Sequence, residues 1–448
     1  MKTIALSAGL ALMAAAPLAA QHEHHAPAPT PTPAATAPAQ HEHHAPPAAT
    51  VTAAPEINLF QSDMTLMTGM TPRDPTPADP VWRPMFLAVA RVGYNDQGGP
   101  SGEHGIESSN WTMIHVGRSI GRGRLSLMLM NSLEPWTLEK RGSPELFQTG
   151  ESYRGRPLVD RQHPHDLFMN LSATWRAPIG DTAAWWLQLA PVGEPVIGPS
   201  AFMHRASAGE NPTAPLGHHW QDSSHITYNV VTAGIGWGAV ALEGSAFHGA
   251  EPDEDRTDIE GGAIDSAAGR VKLFLPGGWS AQASHAYLHE PEALEEGSTH
   301  RTTASLHYGA EGDRPFAATL LWGRNAEEHG TTDSWLLEGA WQMTPVDHAY
   351  GRLEWVEKDR ELLEFKGVDV HPAVALPHVA EIAALTVGYL REIFVARALR
   401  VGAGADLTGY RFPSALESVY GSSPLSWHLF LRVRWGEAHG AAHGHSGH

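Results

Sequence analysis

The sequence predicts an all-β fold: a transmembrane, antiparallel outer-membrane β-barrel of about sixteen strands, with disordered His-rich tails at both ends. Three observations carry this. From about residue 84 to 435 there is no amphipathic helical periodicity; segments of roughly ten residues alternate apolar and polar instead, a length that suits tilted strands crossing a bilayer. The connections between them alternate long and short along the chain, as an outer-membrane barrel requires and a soluble sandwich does not. In the last segment Trp427, Leu429, Leu431, Val433 and Trp435 share one face and His428, Phe430, Arg432 and Arg434 the other. That is the alternation of a lipid-facing row against a lumenal row.

Taken in order, residues 1–20 read as a cleaved secretory signal: basic Lys2, an Ala- and Leu-rich apolar stretch, then small residues before Gln21. Residues 21–80 are a Pro-, Ala- and His-rich periplasmic tether, too poor in large apolar side chains to offset its ordering entropy. The barrel occupies 81–436. Its expected strands are 84–94, 111–118, 123–131, 167–177, 182–190, 225–236, 238–248 and 268–275, followed by 279–288, 300–308, 315–323, 333–343, 348–357, 381–390, 395–406 and 425–435. Tight turns separate alternate pairs, among them Gly121-Arg122, Pro178-Ile179-Gly180-Asp181, Pro276-Gly277-Gly278 and Thr344-Pro345-Val346-Asp347. Long loops are expected at 95–110, 132–166, 191–224, 249–267, 289–299, 324–332, 358–380 and 407–424. An even strand number puts both termini on the short-turn, periplasmic side. A His-rich tail, 437–448, closes the chain.

Composition narrows the function. The chain has no Cys, so disulfides play no part, and a formal charge of −19 argues against nucleic acid as a partner. Outer-membrane lipid, lipopolysaccharide and metal ions are the expected partners. The metal expectation comes from 28 histidines in clusters. The heptad Gln-His-Glu-His-His-Ala-Pro occurs twice and supplies His22, His24, His25, His41, His43 and His44, a compositional metal-binding tract. Two internal groups are denser: His163, His165 and Asp166 in one long loop, and His204, His218, His219, Asp222 and His225 in the next. Imidazole with carboxylate suits Zn(II), Cu(II) or Ni(II). The competing reading is structural, with these histidines packing two long loops into a plug together with Phe202 and Trp220. Alternation also puts Met113, His115, Met128, Met130, His307 and His348 on lumenal rows. Arg176, Glu243, Arg301, Glu338, Arg352, Glu354, Arg432 and Arg434 share those rows and suggest a hydrated, charge-compensated lumen. Glu251, Asp253, Glu254, Asp255, Asp258 and Glu260 form an acidic loop with a second, Ca(II)-binding reading.

The signal peptide, the His-bearing extension, Met64, Met67 and Met70, and the barrel together resemble the copper resistance protein B family of metal-resistance systems. The resemblance implies copper binding and tolerance at the outer membrane of a Gram-negative bacterium, alongside periplasmic metal-handling proteins. It extends to the tail histidines and the three methionines. The leading expectation is a non-enzymatic barrel that binds copper or zinc for tolerance or transport and requires no other cofactor. A solute porin with incidental His-rich tails is the first alternative. An outer-membrane hydrolase using Asp222, Ser224 and His225 is the second.

Overall fold

A computed structural model describes residues 81–436 except 295–296, 311, 329, 360–378 and 397. The expected signal peptide, the expected tether with His22, His24, His25, His41, His43, His44, Met64, Met67 and Met70, and the expected tail 437–448 lie outside the described residues. So does most of the loop expected at 358–380.

The early strands are β1 (Arg83–Asp96), β2 (His104–Ile120) and β3 (Gly123–Asn131). Two strands that belong to a loop follow, β4 (Ser143–Ser152) and β5 (Pro157–Gln162). The wall resumes with β6 (Phe168–Ile179), β7 (Ala183–Gly193), β8 (Thr227–Trp237), β9 (Val240–Phe247) and β10 (Ser266–Phe274). It continues through β11 (Trp279–His289), β12 (Ser298–Ala310), β13 (Phe316–Glu327) and β14 (Gly330–Gln342). The last strands are β15 (Asp347–Asp359), β16 (Val379–Ala396), β17 (Leu399–Arg411) and β18 (Leu425–Trp435). All but β4 and β5 form one closed antiparallel barrel of sixteen strands, each expected strand matching one observed strand. Closure is made by β1 against β18, from Ala88↔Trp435 to Asp96↔Trp427. Both ends of the barrel therefore lie at the rim of short turns.

The alternation sorts side chains as expected. Leu187, Leu242, Leu320, Leu385, Leu429 and Leu431 stand exposed on the outer face. At the turn rim Phe86, Trp237, Trp279, Trp341, Phe394 and Trp435 also face outward. An apolar outside with aromatic side chains at its edge is what a bilayer stabilises; in water so much exposed apolar surface would drive aggregation. The inward charges are buried, Arg301, Arg352 and Arg432 almost completely.

Two expected long loops are shorter than the sequence suggests. Strand β2 already begins at His104, paired with Asp96, and β13 and β14 pair out to Glu327↔Gly330. Beyond the apolar belt a ladder needs no hydrophobic alternation, so polar His104–Asn110 continues β2 without a sequence signal. The sequence also gave no hint of the β4–β5 ribbon.

The lumenal charges are compensated, as expected, and the lumen holds two folded loops, as in the competing reading of a plug with Phe202 and Trp220. Loop 194–226 crosses the lumen, bonding to strand after strand. Val196 N donates to Ser245 of β9, Gly198 N to Ser284 of β11, and Arg205 Nε to Glu338 of β14. Leu216 N donates to Glu354 of β15, and Arg352 of the same strand donates to Thr213 O. At its tip Glu210 is bound by Arg432, with Arg434 at 3.5 Å, while Arg91 donates to Gly209 O. The charged lumenal rows therefore hold a folded loop by ion pairs and hydrogen bonds. Loop 132–167, carrying β4 and β5, packs beside it: Gln148 donates to Pro215 O, and Lys358 Nζ reaches both Thr149 Oγ1 and Leu216 O.

Candidate functional site

Where these two loops meet, the two His groups that sequence separates become one. A helical turn, His218–Gln221, carries His218 and His219, and a 3₁₀ turn, Ser223–His225, ends at His225. The segment after β5 brings His163 and His165 against them. Ring centroids are 5.7 Å apart for His163 and His219, 5.5 Å for His218 and His219, and 6.2 Å for His163 and His218. His218 and His225 are 5.3 Å apart, His165 and His225 5.2 Å. All five residues are buried. His204 stands nearby, its ring edge-on to Trp111 at 4.8 Å.

One pattern runs through the five. Each Nδ1 faces an oxygen: His165 to Glu134 Oε2 at 2.7 Å, His218 to Asp222 Oδ1 at 2.7 Å, His225 to Asp222 O at 3.2 Å. His163 Nδ1 lies 3.1 Å from Glu151 Oε1, and His219 Nδ1 3.2 Å from Glu251 Oε1. Each Nε2 is buried with no hydrogen-bond partner in the protein, as are both ring nitrogens of His204. A buried polar atom without a partner costs of order 1–3 kcal/mol, and here the cost recurs at neighbouring rings. Metal-binding histidines show this division of labour, one nitrogen held by an oxygen and the other left as a lone pair for the ion; His219 departs from it, since its Nδ1 makes no hydrogen bond and its Nε2 side packs against Gly150.

Electrostatics keep most of these rings neutral. Burial, then the Arg256 charge and the neighbouring rings, pushes His163 well below the usual imidazole range. Burial and the rings of His165 and His218 do the same to His225, and burial lowers His218 despite Asp222. His204 falls to about 3 through burial, His165 and Arg205. His219 is the exception. Burial opposes its charge, but the carboxylates of Glu251 and Glu292 raise it to about 10.

The predicted carboxylates sit behind the rings. Asp166 is engaged by Tyr228 OH at 2.6 Å and by Arg256 at 3.2 Å, so it braces the loop and does not face the cluster. Asp222 binds His218 and Arg205, which orients the ring and ties it to Glu338 through the shared guanidinium. Asp222, Ser224 and His225 form no relay: His225 meets the Asp222 carbonyl, and Ser224 Oγ accepts from Arg301. Sequence reading missed Glu134, Glu151 and Glu292, and grouped Glu251 with its acidic neighbours. Glu134 and Glu151 share their loop with His163 and His165, the one signal that pointed to them. Asp253, Asp258 and Glu260 do converge, at the solvent-exposed surface.

Backbone geometry makes room for the rings. Gly150 has φ +128, and a Cβ there would lie 2.1 Å from His219 Nε2. Nearby Phe147, Glu151 and Asp160 also take positive φ, an arrangement that persists only where surrounding contacts over-determine it. Beside the cluster, Met113, Met128, Met130, Met169 and Trp111 of the wall join Met203 of the crossing loop in an apolar layer. His115 and His348 are lumenal and apart from the cluster. His307 is lumenal too, bonded to Ser305 and Thr319.

No protein-family profile matches the chain, and no curated protein does. Among solved structures it is similar to an anion-selective porin from Comamonas acidovorans, at 10% identity and TM-score 0.46, over 79% of this chain and 100% of that one. Pseudomonas putida OprB is similar at 10% identity and TM-score 0.49, over 80% and 94%. The outer membrane channel DcaP of Acinetobacter baumannii follows at 7% identity and TM-score 0.46, over 82% and 100%. The chain is an outer-membrane type of β-barrel, as its closure, apolar belt and aromatic rim already require.

Proposed function

We propose that this protein is an outer-membrane barrel that binds transition-metal ions inside an occluded lumen, with His163, His165, His218 and His225 as the ligand set and His204 and His219 at its edge. The observation that carries the reading is the shared pattern of four imidazoles, those of His163, His165, His218 and His225, each with Nδ1 against an oxygen and each with a buried, unpartnered Nε2. Imidazole nitrogen accepts copper in either oxidation state and Zn(II), so copper or zinc is the expected ion. The short-turn rim and both chain ends face the periplasm. There His22, His24, His25, His41, His43 and His44 capture ions with lower specificity, and periplasmic metal-handling proteins are the partners. Metal tolerance or passage is the role this chemistry suits.

The test is titration of the full-length chain in a background where the ten tail histidines (those six with His439, His443, His445 and His448) are alanine. Binding of Cu(II) or Zn(II) that disappears in His163→Ala/His218→Ala/His225→Ala supports the reading; binding indifferent to those changes refutes it.

A solute-conducting porin is the second reading. It is favoured by the closed sixteen-strand wall and by polar contacts that tie the plug to it, Glu210 with Arg432 and Arg205 with Glu338. Steady solute-dependent conductance in planar bilayers, unchanged by metal, would select it.

A further inference from the structure

On the solvent side of the imidazole cluster, His219 turns its Nδ1 toward two carboxylates from separate loops. Glu251 Oε1 lies at 3.2 Å and Glu292 Oε1 at 3.4 Å, and one ligand atom from each residue lies within 4.8 Å of the other two. Four ligands at 2.0–2.1 Å around a tetrahedral ion are separated by about 3.3 Å, which the two distances from His219 Nδ1 match. Neither contact has the direction of a hydrogen bond from Nδ1, and Glu251 Oε2 is buried without a partner. Glu292 is held from behind, its Oε2 accepting from Glu151 N, while Glu251 Oε1 also accepts from Ser223 Oγ. Exposure falls inward, from 26% for the Glu292 side chain to 11% for Glu251 and 6% for His219.

We propose that His219, Glu251 and Glu292 form a second, mixed-ligand site for a divalent first-row ion such as Zn(II) or Co(II), which loads the imidazole cluster from the loop side. The role as a loading site rests on the cluster binding metal; the site itself does not. One imidazole, two carboxylates and an open fourth position make an ion exchangeable from water. The His219 ring, 5.5–5.7 Å from His218 and His163, leads from this site to the cluster.

The experiment uses the full-length chain with alanine tail histidines. It compares the parent, Glu251→Gln/Glu292→Gln, and His163→Ala/His218→Ala/His225→Ala, each checked for folding by heat-dependent gel mobility. Zn(II) titration gives stoichiometry; the visible spectrum of Co(II) reports ligand type and uptake rate. The Gln pair is expected to lose one equivalent and to fill the cluster at least tenfold more slowly, reaching the parent's nitrogen-ligated spectrum. The alanine triple is expected to keep one oxygen-rich equivalent. A Gln pair with the parent's stoichiometry and rate overturns the proposal and leaves the cluster reading standing. An alanine triple that loses nothing, beside a Gln pair that loses one equivalent, supports this site and refutes the cluster.

Discussion

His218 Nδ1 lies 2.7 Å from Asp222 Oδ1, one helical turn further on, with both side chains fully buried. The carboxylate fixes which ring nitrogen carries the proton, so the opposite nitrogen keeps its lone pair, and Arg205 holds the carboxylate in turn. Because Arg205 also binds Glu338 of β14, the ring's orientation is set by the barrel wall.

Asp222→Asn therefore acts in two ways. It removes one of the two carboxylates that pair with Arg205, and breaking a buried pair by changing one partner costs about 3–5 kcal/mol. It also frees the His218 tautomer, and loss of such an orienting partner lowers metal affinity about 10–100-fold. Calorimetric titration beside thermal unfolding separates the two; unchanged affinity would show that Asp222 only packs.

Stability should depend on pH with two limbs of opposite sign. His163, His218, His225 and His204 titrate below their unfolded value near 6.5, so the unfolded chain binds more protons as pH falls. Stability is then lost from about pH 6.5 downward, continuing toward about 3 for His204. His219 is raised, so its contribution is full below about 6.5 and vanishes as pH climbs through about 10. Unfolding midpoints from pH 4 to 10 check this: His219→Gln should remove the alkaline decline and leave the acid one.

Glu210 locks the tip of the plug. Burial would raise its carboxyl, but Arg432, Arg434, His348 and Arg91 hold it down to about 2. Its stabilisation is full above the ordinary carboxylate range and is lost progressively as pH falls from there to about 2. Glu210→Gln leaves those arginines under-compensated, at a cost of about 3–5 kcal/mol. Single-channel recordings should show openings absent from the parent; an equally silent variant would mean that the other loop contacts suffice.

Leu431 stands exposed between the two outward tryptophans of β18, Trp427 and Trp435, near mid-belt. Leu431→Arg should destabilise the barrel by about 2–4 kcal/mol, while the same change at a rim position costs far less. Comparing unfolding of Leu431→Arg and Leu425→Arg in lipid vesicles measures the difference. Equal costs would argue that no hydrocarbon surrounds β18.

The wall was legible because its constraint is local. Along β18 each residue meets lipid or lumen according to parity alone, so Leu431 and Arg432 declare their sides from neighbours in the chain. The same logic assigned Met113, His348 and Arg352 to the lumen. It was silent where a ladder leaves the apolar belt, as at His104, since pairing there needs backbone only. The short ribbon of β4 and β5 escaped for a related reason: inside a plug its residues face protein on every side, and no alternation results.

By itself, then, the sequence determined the barrel, its strand number, the parity of its connections except between β13 and β14, which pair out to Glu327↔Gly330, and the two loops rich in histidine. Tertiary structure decided what those loops do. Glu210 and Arg432 are 222 positions apart, and no periodicity links them; they meet because lumenal charges cost too much unpaired and the loop supplies the partners. The same folding brings His163 within ring contact of His218 and His219, and turns each Nδ1 onto an oxygen. Residue types along a loop reveal which ligands are available. Only the packing of two loops against one wall decides which nitrogens remain free.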